Sequence, residues 1–171
     1  SREELSAMAL ARQLATLLLD VYEIRPDYSG SIPNDWYRQA LNYRVPRGEG
    51  DNLRAALGGI ERSQFSRIQA LLKLPDAVWE LADRYRLEEK RLRYVLRVED
   101  EGLQVELVHL IIQNNLSAER IQYLVESGKL TSFLEDMQNE PDDPSVISER
   151  IANRWPGLIR QVSQVDLNLI A

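Results

Sequence analysis

Arg62, Gln64 and Arg67 lie in the stretch LRAALGGIERSQFSRIQALLKLP, residues 53–75, on the side of a predicted helix away from Phe65 and Ile68. Arginine and glutamine are the side chains that hydrogen-bond guanine and adenine edges or backbone phosphates, and a helix N-terminus adds partial positive charge toward the phosphates. The chemistry on offer is recognition of a DNA groove. The spacing is that of a helix-turn-helix, in which a small residue in the first helix allows a close crossing and a turn glycine supplies a backbone angle other residues resist. Ala55 and Gly59 fit those two slots. Ile60 is expected to bury in the turn, with Phe65, Ile68, Leu71 and Leu72 giving the second helix its apolar face. Arg54 and Gly58 occupy positions where the pattern favours apolar residues, and Glu61 is a poor substitute for a Ser or Asp helix cap.

The run RSQFSRIQALLKLPDAVWEL resembles the helix-turn-helix of the ParB family of chromosome and plasmid partition proteins, whose recognition helix reads R-S-x-V-S-R/N-x-x-R-L-L-K-L-P and is followed by x-x-V-x-x-L. The Leu-Leu-Lys-Leu-Pro ending at Pro75 is the most specific part. RLEEKRLRYVL (86–96) resembles the next helix of that family, VHLIIQNNLSAERIQYLVESG (108–128) is similar to its A-x-x-I-I-x-x-x-L-S-V-R segment, and REELSAMALARQLATL looks like its opening R-E-D-L-x-P-x-E-x-A. The resemblance covers residues 2–128, roughly, and is strongest over 62–78. It implies an all-α domain that binds double-stranded DNA, with a recognition helix at 62–73 in the major groove. Arg62, Ser63, Gln64 and Arg67 would then contact bases, and Ser66, Lys73, Arg86, Lys90, Arg93 and Arg97 would contact phosphates. It also implies a cytoplasmic, nucleoid-associated setting, a homodimer, and a partition ATPase engaged through regions outside this chain.

Two departures bear on what carries over. A long stretch, DVYEIRPDYSGSIPNDWYRQALNYRVPRGEGDN, replaces the short link that usually joins the first helix to the helix-turn-helix. The Arg-rich G-E-R-R phosphate motif of the family's upstream domain does not occur, so no cofactor is assigned to this chain and CTP would belong to an absent upstream domain. The start at Ser1, where the family's central domain begins, suggests a fragment of a longer protein.

With 171 residues, 44% of them hydrophobic, the chain can bury one good core, read as a DNA-binding domain over 1–139 with the helix-turn-helix near 51–74 and a helical extension over 140–171. No apolar run approaches the ~20 residues that span a bilayer, and no signal-peptide pattern occurs. Absent cysteines exclude disulfides and thiolate metal sites. His109, the only histidine, sits in an apolar run and reads as a core or boundary residue, not a ligand. No Ser/His/Asp set, P-loop, glycine-rich nucleotide turn or paired carboxylates stand out, so an enzyme is the weakest reading.

The net charge of −6 conceals a segregation. Residues 38–73 hold seven cations against three acids and 84–97 hold six against two, whereas 98–143 hold eleven acids against two cations. A duplex would be met by the first half and repelled by the second.

These residues must be positioned by helices, since no alternating β pattern competes. Leu5, Met8, Leu14, Leu17, Leu18 and Val21 predict a long first helix over 3–22. A loop at 29–33 leads to a short helix capped by Asn34 or Asp35, and a second loop, 45–50, leads into the helix-turn-helix. Helices are predicted around 76–84 and 87–97, then one marked by Leu103, Leu107, Leu110 and Ile111, then one capped by Ser117, then one near 131–138. Asp143 and Pro144 announce a last helix, whose stripe from Val146 to Val162 either covers the domain's own core or pairs with a second copy.

Arg86, Lys90, Arg93 and Arg97 are spaced four, three and four apart, which lines them on one face of the 87–97 helix as a stripe suited to tracking phosphates. Two functions stay in view. One is sequence-specific DNA binding. The other is a helical protein-interaction or adaptor domain that keeps the fold without DNA binding, its acidic half engaging a partner.

Overall fold

Apolar residues at three- and four-residue spacing make the first helix, α1 (Ala7–Val21), the spine of the molecule, with Met8, Ala11, Leu14, Ala15, Leu18 and Leu19 all buried. The structure is a computed structural model and describes residues 5–27 and 29–139; the acidic break at 140–144 and the predicted last helix lie outside the described residues. The Ser6 hydroxyl caps α1 by accepting from the Ala9 amide, so the helix starts later than the predicted residue 3. Leu5 and Val21, expected on its apolar face, are exposed at its two ends.

The described residues form helices and turns and no strand. After α1 come α2 (Asn34–Arg38), continued by a 3₁₀ turn over Gln39–Asn42, then α3 (Gly50–Ala56), α4 (Arg62–Ala70), α5 (Asp76–Arg84), α6 (Glu89–Val95), α7 (Glu101–Asn114), α8 (Ala118–Glu126) and α9 (Leu130–Gln138). α1 packs against α4 and α5, α6 against α8, and α7 against α5 and α9, around one continuous core. Arg12 of α1 grips Asp83 of α5 with two hydrogen bonds of 2.9 and 3.2 Å.

Of the local expectations, the cap on α8 holds for the stated reason. Ser117 caps α8 by accepting from the Arg120 amide. Pro75 precedes α5 with extended backbone, and Leu71–Lys73 tighten the end of α4 into a 3₁₀ turn, which buries Leu71, Leu72 and Leu74. Others need correction. Neither Asn34 nor Asp35 caps α2; Pro33 holds that position, and the Asn34 amide donates to Asp76 at 3.0 Å. His109 is exposed, because the buried residues of α7 are Gln104, Leu107, Val108, Leu110 and Ile111 and the helical turn carries position 109 outward.

The long segment between α1 and α3 is tied down at Arg38. The Arg38 guanidinium donates to the carbonyls of Leu72 (3.1 Å) and Leu74 (2.8 Å), pairs with Asp35 and Asp76, and lies 4.8 Å from the centre of the Trp79 ring. Burial works against its charge, but Asp35 and Asp76 outweigh that and raise its pKa above the usual arginine value. The segment that the family pattern lacks is thus fastened to the end of α4.

Candidate nucleic-acid interface

α4 is held from behind. Phe65 and Ile68 are buried against α1, and α6 lies alongside. Its outward residues are Arg62, Ser63, Ser66 and Arg67, all exposed, with half-buried Ala70 continuing the same side. Gln64, four residues before Ile68, is half-buried on the flank, while Ser66, expected only at phosphates, is among the outward residues, its hydroxyl donating to the Arg62 carbonyl at 3.3 Å. Glu61 starts the helix with no side-chain cap, as its residue type implied.

The turn before α4 depends on glycine. Gly58 and Gly59 have φ of +92° and +79°, the left-handed region that side-chain-bearing residues resist, and the Gly59 amide donates to the Arg54 carbonyl at 2.8 Å to close α3. Ala55 does not play the crossing role assigned to it. It is exposed, and Leu53 and Leu57 are the residues that α3 and its C-terminus bury. Ile60 is half-buried against the core.

Arg67 is not free on its surface. Its Nε donates to Glu89 Oε1 at 3.1 Å, and Arg93 holds the same carboxylate through bonds of 2.8 and 2.6 Å. Glu89 keeps only 12% of its side-chain exposure, and its hydrogen bonds raise the Arg93 pKa, with burial opposing.

The basic stripe therefore differs from expectation. α6 spans only Glu89–Val95, so Arg86, at φ +51°, and Arg97 lie off its two ends and the four cations do not share one helical face. Lys90 lies 3.7 Å from Glu88, Arg93 is committed to Glu89, and Arg97 pairs with Glu126 and stacks over Tyr94. Much of their charge is matched inside the fold.

A different set of cations has no such partner. Among the described residues, Arg44, Arg47, Arg62 and Lys73 make no ion pair, whereas Arg38, Arg54, Arg67, Arg91, Arg93 and Arg97 all do. These four cations all line one cleft of about 700 Å³ between α4 and the 43–50 segment, with Ser66 at its side. Arg44 and Arg47 were part of the positive count over 38–73 but were assigned no role, because a loop gives no period from which to read a face.

Residues 52–130 match the family model described as the ParB HTH domain. This segment is a ParB-family helix-turn-helix domain. Comparison with curated proteins and with solved structures gives no match. The ParB HTH match begins within α3 and ends at the first residue of α9, so it takes in the whole outward side of α4 and leaves Arg38, Arg44 and Arg47 outside. ParB HTH domains are a DNA-binding family, not an enzyme class. Among the described residues, no group of three or more His, Asp or Glu side chains is placed to hold a metal ion, and no helix is long and apolar enough to cross a membrane.

Proposed function

We propose that this chain binds double-stranded DNA sequence-specifically as part of a ParB-like partition protein, with α4 in the major groove. The observation that carries the reading is the outward side of α4, where Arg62, Ser63, Ser66 and Arg67 stand exposed on a helix whose opposite side is locked into the core. A helix so anchored can enter a groove as a rigid body, which base readout requires. Arg62, Ser63 and Arg67 are the base-reading residues, Gln64 reaches the edge of the site from the flank, and Ser66 and Lys73 serve the adjoining backbone. Arg86 and Lys90, both exposed, are outlying phosphate contacts, while Arg93 and Arg97 would exchange a carboxylate for a phosphate to take part. The setting is the nucleoid of the cytoplasm, and two copies on a palindromic site are the expected assembly.

Selection of bound sequences from random duplexes tests this reading. A defined site should emerge, and Arg62→Ala or Arg67→Ala should relax its preference by roughly 1–3 kcal/mol per lost base contact. Recovery of unrelated sequences, or a preference unmoved by both substitutions in a folded protein, would refute it.

A further inference from the structure

The cleft beside α4 owes one wall to a segment that the ParB HTH match does not include. We infer that residues 43–50 form a second DNA-contacting element, in which Arg44 and Arg47 face Arg62 and Lys73 across the cleft and hold the phosphate backbone that borders the groove read by α4. The inference rests on the DNA-binding reading above and assigns a role to the segment that sets this chain apart from the family pattern.

Three observations carry it. The first is charge: the cleft is lined by Arg44, Arg47, Arg54, Arg62 and Lys73 against the single acid Asp51, which is already paired to Arg54. Unmatched cations in one concavity raise the local potential and draw a polyanion, whereas cations closed onto carboxylates do not. The second is size. At about 700 Å³ the cleft is far larger than one ion and suits a run of sugar-phosphate chain.

The third is preorganisation. The Gln69 amide of α4 donates to the Ala40 carbonyl at 2.9 Å and to that of Tyr43 at 3.5 Å, fastening the start of the segment to the recognition helix itself. On its other side the hydroxyl of Tyr22, the residue that caps the end of α1, donates to the Arg44 carbonyl, with the Tyr22 and Tyr43 rings 4.6 Å apart. Gly48, at φ +89°, turns the chain back toward α3. The two arginines thus project from a backbone held by α1 and α4, so little ordering is left to be done when DNA arrives. Phosphate contact asks only for positive charge at the right place, which arginine and lysine both supply.

The test uses the full chain and its selected duplex, followed by fluorescence anisotropy over a series of salt concentrations. Arg44→Gln/Arg47→Gln should flatten the slope of log affinity against log salt by about two units, one per lost phosphate contact. The ranking of matched over scrambled duplex should stay the same. Arg44→Lys/Arg47→Lys should keep the parent slope, and both variants should melt with the parent, since these side chains are exposed. An unchanged slope in the glutamine variant, with the parent still binding its site, overturns the backbone clamp and leaves the recognition helix standing. A lost site preference at an unchanged slope also overturns it, by making these residues base readers. A parent that binds no duplex at low salt overturns the underlying reading, and the clamp with it.

Discussion

Arg38→Met should cost this fold about 2–4 kcal/mol, and the size follows from what the guanidinium touches. Methionine keeps an apolar stem of similar length, so packing changes little and the loss is chiefly polar. Two charge-assisted hydrogen bonds, to the carbonyls of Leu72 and Leu74, disappear. Leu74 keeps the Trp79 indole as a donor at 2.8 Å, so the larger penalty falls on Leu72. A hydrogen bond to a charged group contributes roughly 1.5–3 kcal/mol, and the contact with Trp79 adds roughly 0.5–1 kcal/mol. The ion pairs with Asp35 and Asp76 add little, because those carboxylates are 88% and 72% exposed. For a domain of this size each kcal/mol corresponds to about 3 °C in melting temperature, so the midpoint should fall by roughly 6–12 °C. Urea denaturation followed by tryptophan fluorescence measures it. Arg38→Lys should recover little, since one ammonium cannot span two carbonyls in the way a planar fork does. A loss below about 1 kcal/mol in the methionine variant, or full recovery by lysine, would refute the reasoning.

Other outcomes follow from single contacts. Gly59→Val should destabilise by roughly 1–2 kcal/mol through backbone strain alone, because φ is +79° and nothing lies within 4 Å of the added Cβ; a thermal melt unchanged from the parent would show that the turn does not depend on this angle. Glu89→Gln should release Arg67 and Arg93 together, lowering the melting temperature while steepening the salt dependence of duplex binding, and a flat response in both readouts would mean that the carboxylate does not restrain them. Gln104→Leu removes a buried amide that donates to the carbonyls of Val95 and Val98 at 3.3 and 2.8 Å; a loss of roughly 1–3 kcal/mol in chemical denaturation is expected, and a stabilised variant would contradict it.

Helical content and the core side of α4 were legible in the sequence because their signals are local. Phe65 and Ile68 mark the core side of α4 by spacing, Ser117 announces α8 by its hydroxyl, and the glycines before α4 announce a left-handed turn. What was not legible depended on phase or on distant partners. His109 has apolar neighbours on both sides in sequence, yet a helix turns adjacent residues about 100° apart, so the company of Val108 and Leu110 said nothing of its own direction. The stripe from Arg86 to Arg97 assumed an unbroken helix, and Glu126, which takes Arg97, comes from α8. Arg44 and Arg47 gain their meaning only from the fold that sets residues 43–50 against α4. Summed charge had included them without locating them.

Gln69 sits on α4 and spends its amide on the Ala40 and Tyr43 carbonyls, while the Phe65 and Ile68 side chains are buried in the core and Arg67 is tethered to Glu89. On the proposed reading of α4 as the groove-entering helix, retargeting this domain to a new site has a short alphabet to work with. The exposed positions 62, 63 and 66 can be randomised without breaking a described tertiary contact, whereas a library that includes 69 would also unfasten the 43–50 segment and confuse altered reading with a displaced wall.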